Sequence, residues 1–153
     1  MLTLTPPIPD AKVTELMLEL LELKPTDKLL EIGTGSGSQT DVWQRYAGEV
    51  HSVELNREYK LNDSTLGSHV YLSYGDGAKG LPREAPFDAI VATCGVPDVP
   101  EAWKEQLKDG GRLVAPIGLP SAQRLIQYRK KGQSVVPVRV AAYVRFIPME
   151  HGE

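Results

Sequence analysis

Near its N-terminus the chain contains Leu29-Leu30-Glu31-Ile32-Gly33-Thr34-Gly35-Ser36-Gly37, an apolar run followed by three alternating glycines. The apolar run predicts a buried strand, and the glycines predict a tight turn from that strand into a helix. Glycines at such a turn permit positive φ and let a ligand approach the backbone, because they have no Cβ. The segment therefore favours a nucleotide-type ligand site over a plain tight loop.

The spacing of the glycines bears on the ligand. The dinucleotide fingerprint G-x-G-x-x-G requires a third small residue for close packing of the helix on the strand. Ser38 stands at that position, and the third glycine, Gly37, comes one place earlier. The pattern therefore disfavours a pyrophosphate as the bound group.

Two acidic residues follow the next two predicted strands. Glu54 ends the second strand about 20 residues beyond the glycines, the distance expected for a carboxylate that accepts hydrogen bonds from ribose hydroxyls. Asp76 lies between Gly75 and Gly77 after the third strand and is suited to accept from an adenine amino group. The alternatives are an ordinary strand-end carboxylate for Glu54 and a simple turn residue for Asp76.

Predicted helices and strands alternate along most of the chain. Apolar residues at helical spacing predict a helix from Asp10 to Leu23, and further helices are predicted at 39–46 and 99–107. Strands are predicted at 28–32, 50–54, 70–73, 87–93 and 112–117. This alternation indicates an α/β fold with a doubly wound parallel sheet and helices on both faces.

After Ile117 the direction of the chain changes. The segment from Gly118 to Ser121 is too short for the crossover that a parallel neighbour requires, so the next strand is expected to be antiparallel. Strands at 123–128 and 138–147 are then predicted to form a hairpin through residues 130–133. The sheet is expected to have seven strands, mostly parallel, with the antiparallel strands at the C-terminal edge.

Composition limits the remaining possibilities. With 153 residues and 41% hydrophobic side chains, residues 1–153 are expected to form one domain. A net charge of −3 gives no large basic face, so no nucleic-acid partner is expected. No apolar run is long enough for a membrane span, and the N-terminus does not resemble a secretory signal. Cys94 is the single cysteine, which excludes an internal disulfide or a cysteine cluster for zinc and suits a reducing cytoplasm.

Five segments of the sequence resemble S-adenosylmethionine-dependent methyltransferases, and more closely the protein-L-isoaspartate O-methyltransferase family. They are residues 20–25; residues 30–40 with the glycine turn; Gly75-Asp76-Gly77 with Lys79-Gly80; residues 85–116 with Gly110-Gly111; and Val144-Arg145-Phe146-Ile147-Pro148-Met149. The resemblance implies a Rossmann-like methyltransferase fold and S-adenosylmethionine as the cofactor, with no metal.

The resemblance also implies a set of cofactor-binding residues. In this scheme Glu54 binds the ribose, Asp76 and the Gly77 amide bind the adenine, and Glu31 anchors either the turn or the amino group of the donor. Amides that follow Gly37 at the start of a helix would receive the carboxylate of the donor. The full predicted set is Glu31, Gly33, Thr34, Gly35, Ser36, Gly37, Glu54, Leu55, Asp76, Gly77 and Thr93. No catalytic residue is predicted.

The sequence departs from the family at its N-terminal end. The helical region that family members carry before this point is not in this sequence, and Pro7-Ile8-Pro9 aligns with a family Thr-Ile-Ser segment. These differences predict an open methyl-transfer end, little activity on isoaspartyl peptides, and a bulky acceptor or a partner chain that covers the site. A protein, a peptide and a small molecule all remain possible acceptors, and a homo-oligomer is a possible source of the cover.

Two other functions are compatible with parts of the pattern. One is a methyltransferase-like module that binds the cofactor but serves as a non-catalytic subunit, which Pro7 and Pro9 favour. The other is a nicotinamide-dependent oxidoreductase, which Ser38 and the lack of a recognisable proton-relay set disfavour.

Overall fold

The computed structural model describes residues 10–59 and 65–150. Its helices are α1 (Asp10–Leu21), α2 (Ser38–Trp43) and α3 (Glu101–Gln106), with short 3₁₀ turns at Gly77–Lys79 and Pro82–Glu84. Its strands are β1 (Lys28–Ile32), β2 (Glu49–Glu54), β3 (Val70–Tyr74), β4 (Phe87–Ala92), β5 (Leu107–Ile117), β6 (Gln123–Lys131) and β7 (Ser134–Val144).

All seven strands belong to one sheet, with the order β3-β2-β1-β4-β5-β6-β7. The pairs from β3 through β5 are parallel, whereas β6 and β7 each pair antiparallel with the strand before them. This confirms the predicted mostly parallel sheet with an antiparallel C-terminal edge. The strand order reverses between β1 and β4, and in such sheets a crevice for ligands opens at the carboxyl ends of those strands.

The sheet is covered on both faces, as the alternation of elements predicts. On one face Met17, Leu20 and Leu21 of α1 pack with Trp43 of α2, and all four side chains are fully buried or nearly so. On the other face Trp103 of α3 packs in a second cluster. Adjacent residues of β1, such as Leu29 and Leu30, point into different clusters, as expected of a strand buried on both sides.

The helices are shorter than predicted, and local chemistry explains where they end. Helix α1 ends at Leu21 because Glu22 adopts a left-handed conformation with φ of 50°. Helix α3 begins after Pro100, whose ring disfavours helical geometry at Val99. Helix α2 begins at Ser38 and ends at Trp43, and the chain continues through 46 as a turn.

The C-terminal hairpin also differs from its predicted bounds. Strands β6 and β7 extend to Lys131 and Ser134, so only Gly132 and Gln133 form the turn. Gly132 has a φ of 65°, which a two-residue hairpin turn accepts most readily from glycine. At its other end β7 stops at Val144 rather than 147, because the following residues pair elsewhere.

Candidate functional site

A cavity of about 240 Å³ lies at the carboxyl ends of β1, β2 and β4. Six of the predicted site residues line it: Gly33, Gly35, Glu54, Leu55, Gly77 and Thr93. They lie at or just after the carboxyl ends of four different strands, and the parallel sheet brings these ends to one edge. The cavity therefore occupies the crevice that the strand order predicts.

Two glycines of the turn after β1 act in different ways. A Cβ on Gly33 would lie 2.8 Å from Thr93 Oγ1, so a side chain there would collide with the end of β4. A Cβ on Gly35 would meet no atom within 4 Å, and Gly35 borders the cavity. Both have positive φ, 97° and 55°, which other residues rarely adopt. Gly33 thus permits close packing of the turn, and Gly35 leaves space for a ligand.

The Glu54 carboxylate is fixed at the cavity by backbone amides. Its Oε1 accepts a hydrogen bond from the Gly35 amide at 2.7 Å, and its Oε2 accepts one from the Asn56 amide at 2.9 Å. The residue is only 8% exposed. A carboxylate oxygen has capacity for a further hydrogen bond, so Glu54 can still accept from ligand hydroxyls.

Glu31 lies behind the cavity rather than in its wall. It is fully buried, and its carboxylate accepts hydrogen bonds from Ser52 Oγ at 2.6 Å, Trp43 Nε1 at 2.7 Å and the Thr40 hydroxyl. Burial raises the pKa of Glu31 to about 7, against the lowering effect of these donors. Of its two predicted roles, this geometry supports the anchor of the turn.

Thr34, Ser36 and Gly37 also lie outside the residues that line the cavity. The Thr34 hydroxyl is buried and lies 2.6 Å from Ser52 Oγ, which in turn donates to Glu31. Gly37 has a φ of 86° and precedes α2. These residues shape the turn and join it to β2 and α2.

The turn after β3 presents Gly77 to the cavity. A Cβ on Gly77 would lie 2.5 Å from Ile32 Cγ2, so only glycine fits against the end of β1. Asp76 is partly exposed beside it, and its Oδ1 accepts a hydrogen bond from the Ala78 amide at 3.0 Å. Asp76 therefore caps the 3₁₀ turn with one oxygen.

Thr93 and Cys94 form the wall after β4. The Thr93 amide and hydroxyl both donate to the Ile32 carbonyl, at 2.9 and 3.1 Å, and the hydroxyl also contacts the Gly33 carbonyl. Burial, reinforced by the negative charges of Glu54 and Glu31, raises the pKa of the Cys94 thiol to about 12. The thiol is thus neutral at neutral pH and is a poor nucleophile.

Residues 147–149 form a further wall. The Gly95 amide donates to the Ile147 carbonyl at 2.9 Å, and the Met149 amide donates to the Gly95 carbonyl at 2.8 Å. The nearly buried Gln123 side chain bonds both the amide and the carbonyl of Phe146, at 2.7 and 3.0 Å. The C-terminal segment is therefore held across the end of β4.

Sequence reasoning missed this wall and several other lining residues. Those missed include Asn56, Tyr59, Ile147, Pro148 and Met149. A signal is present for the last three, because the segment Arg145 to Met149 belongs to the resemblance, but the apolar pattern predicts a strand through Ile147. The predicted residues Glu31, Thr34, Ser36, Gly37 and Asp76 are outside the lining.

Comparisons with known proteins agree with the fold. The sequence model of the protein-L-isoaspartate(D-aspartate) O-methyltransferase family matches residues 6–153. A protein-L-isoaspartate O-methyltransferase of Christiangramia forsetii is 43% identical over 136 residues, 86% of this chain and 63% of the relative. One from Roseiflexus castenholzii is 42% identical over 142 residues, 90% of this chain and 65% of the relative.

Solved structures show the same architecture. A protein-L-isoaspartate O-methyltransferase structure superimposes with a TM-score of 0.84 and 34% identity, over 94% of this chain and 48% of that one. The fold is also that of a Plasmodium falciparum structure titled as a putative protein-L-isoaspartate O-methyltransferase in complex with S-adenosyl-L-homocysteine, with a TM-score of 0.71, 17% identity, and 98% and 78% of the two chains covered.

The sheet order and the cavity at its switch point define a protein of the Rossmann-like methyltransferase class. Within that class, the chain belongs to the protein-L-isoaspartate O-methyltransferase family. The chain spans 63% and 65% of the length of the two curated relatives described above.

Proposed function

We propose that this chain binds S-adenosylmethionine in the cavity and transfers its methyl group to a carboxylate of a protein or peptide. The observation that carries the proposal is the convergence of Gly35, Glu54 and Gly77, from three successive strands, on one cavity. Family membership supports the same activity.

The residues at the cavity fit the adenosine part of this cofactor. Glu54 has acceptor capacity for the two ribose hydroxyls, and the space beside Gly35 lets a ligand lie against the backbone. The adenine would lie by Gly77, with Asp76 as acceptor for its amino group. The start of α2 remains the predicted place for the carboxylate of the donor. When bound, S-adenosylmethionine supplies a methyl carbon activated by the sulfonium charge.

The acceptor proposed first is an isoaspartyl carboxylate, on the basis of the names of the relatives. A carboxylate is ionised near neutral pH and needs no general base, which agrees with the lack of a predicted catalytic residue. The protein then has to hold the acceptor in line with the methyl group. The Cys94 thiol in the wall would not compete as acceptor, because it stays protonated.

The remaining expectations from the sequence concern the N-terminal prolines, the number of domains, the cover of the site and the location of the protein. Pro7 and Pro9, on which the expectation of little isoaspartyl activity rests, lie outside the described residues. The names of the relatives favour the isoaspartyl acceptor over that expectation. One continuous sheet across residues 10–59 and 65–150 supports the expectation of a single domain. A cover from a partner chain or a second copy, and a cytoplasmic location, are part of the proposal. Within 10–59 and 65–150, no helix combines the length and apolar character needed to cross a bilayer.

Calorimetric titration tests cofactor binding. S-Adenosylmethionine and S-adenosylhomocysteine should bind, and NAD should not. Binding of NAD alone would overturn the proposal and favour an oxidoreductase.

Transfer of labelled methyl groups to an isoaspartyl peptide tests the reaction, with the matched aspartyl peptide as control. Incorporation into the isoaspartyl peptide alone would support the proposed acceptor. Cofactor binding without transfer to peptides or to a protein extract would favour the non-catalytic module.

A further inference from the structure

Trp103 of α3 is hydrogen-bonded to the turn that borders the cavity after β3. The side chain is fully buried in the core, and its indole Nε1–H donates to the Gly77 carbonyl at 2.7 Å. The same carbonyl also accepts from the Gly80 amide at 3.0 Å. A buried indole donor aimed at this carbonyl fixes the peptide that follows Gly77.

Gln106, one helical turn further along α3, binds the same loop at two more points. Its Oε1 accepts from the Leu81 amide at 2.8 Å, and its Nε2 donates to the Lys79 carbonyl at 2.9 Å. Gln106 is 7% exposed. Two side chains of α3 therefore bind the loop from Gly77 to Leu81 at three backbone groups.

Contacts from the cavity side limit the loop further. A Cβ on Gly77 would approach Ile32 Cγ2 to 2.5 Å and Met149 Sδ to 3.8 Å, so the Gly77 backbone already lies against the floor of the cavity. The Gly77 backbone is therefore held between α3 on one side and the cavity floor on the other.

We infer that Trp103 is a positioning residue for the base of the cofactor and acts through Gly77. This inference rests on the proposed function, in which the adenine lies by Gly77 and Asp76. The adenine edge offers an amino donor and a ring-nitrogen acceptor, so its recognition depends on where a backbone amide and a carboxylate are held. Trp103 and Gln106 hold the segment that carries them.

The test compares two ligands that differ only in the base edge. S-Inosylhomocysteine replaces the adenine amino group by a carbonyl and turns the ring acceptor into a donor. For the native protein, S-adenosylhomocysteine should bind more tightly by calorimetry. Trp103→Phe keeps an aromatic ring but removes the donor. The ratio of the Kd of S-inosylhomocysteine to the Kd of S-adenosylhomocysteine should then fall about 3- to 10-fold.

A second variant and a control separate positioning from stability. Gln106→Met keeps the length of the side chain but removes both hydrogen bonds, and it should lower the same ratio. Phe87→Leu alters a fully buried residue of the same core cluster that has no hydrogen bond to the loop. It should lower the melting temperature and leave the ratio unchanged.

The outcomes are distinct. A lower ratio in both α3 variants, with the Phe87→Leu ratio unchanged, would support the inference. An unchanged ratio in a folded Trp103→Phe protein, or in Gln106→Met where the first variant does not fold, would overturn it and leave the proposed function intact. Failure of the native protein to bind S-adenosylhomocysteine would overturn both.

Discussion

Two glutamates on neighbouring strands differ in their hydrogen-bond donors and in their position relative to the cavity. Glu54 accepts from two backbone amides at the wall of the cavity, whereas Glu31 is enclosed by three side-chain donors and has no exposure. Strand patterns predict that both lie near the same edge of the sheet. They do not predict which one faces the cavity, because that depends on Ser52, Thr40 and Trp43, which reach Glu31 from β2 and α2.

Burial of Glu31 predicts a defined pH dependence of stability. Its pKa is about 7 in the folded protein and 4.5 in the unfolded chain. Between these values the folded protein keeps a proton that the unfolded chain releases, so the free energy of unfolding falls as pH rises. The loss from this group is complete above pH 7 and amounts to ~3 kcal/mol.

Glu31→Gln removes this titration, since the amide carries no ionisable proton. Its oxygen can accept from Trp43, and its amino group can donate to the hydroxyls of Thr40 and Ser52. In urea unfolding, the free energy of unfolding of the variant minus that of the native protein should rise by ~3 kcal/mol between pH 4.5 and pH 8. A difference that does not vary with pH would contradict the raised pKa.

Glu54→Ala tests the ribose subsite. If the carboxylate binds ribose hydroxyls, affinity for S-adenosylhomocysteine should fall by about 1.5–3 kcal/mol, the usual range for a hydrogen bond to a charged group. Glu105→Ala is the control, because Glu105 is an exposed carboxylate on α3. Unchanged affinity in folded Glu54→Ala would exclude Glu54 from the site.

At the scale of elements, the end of α1 is held by the sheet. Arg112 of β5 donates to the Leu21 carbonyl at 2.8 Å and to the Glu22 carbonyl at 2.9 Å, and it forms a buried ion pair with Asp27. Gln127 of β6 donates to the Leu20 carbonyl at 2.8 Å. These bonds satisfy the last carbonyls of the helix, which otherwise have no partner.

Arg112→Met should therefore be strongly destabilising. It leaves the buried Asp27 carboxylate without its cation, and loss of one partner of a buried pair costs about 3–5 kcal/mol. Arg129→Met is the matched control on the adjacent strand, where Arg129 pairs with Glu22 at 2.6 Å near the surface. That change should cost at most about 1 kcal/mol in urea unfolding. Equal losses of unfolding free energy in the two variants would contradict the claim that the buried ion pair matters more than the exposed one.

The order and type of the elements were predictable, but their ends were not. Strand β1 has the predicted bounds, because a short apolar run bounded by polar residues and glycine admits one assignment. Helix α1 ends two residues before its predicted end, at the left-handed Glu22, and its last carbonyl is bound by Arg112, a residue about 90 positions away in the sequence. A contact between residues so far apart in the sequence cannot be predicted from a local pattern of residues.

At the scale of the whole molecule, the cavity is built from segments that the sequence separates widely. The sequence predicts the glycine turn, Glu54 and Leu55 at the end of β2, and Gly77 after β3, since each lies at the end of a recognisable strand. The wall at 147–149 is not predicted, because it depends on backbone pairing with Gly95 and on Gln123. Neither contact leaves a periodic signal in the sequence.

Ligand-linked stability tests this assembly as a unit. S-Adenosylhomocysteine at about 100 times its Kd should add about 2.7 kcal/mol to the free energy of unfolding. For a chain of this size that corresponds to a rise in melting temperature of roughly 5–10 °C. The shift should be absent with NAD and should require higher ligand concentrations in Glu54→Ala, because that variant binds more weakly. A native protein whose melting temperature does not respond to saturating S-adenosylhomocysteine would show that the cavity is not a cofactor site.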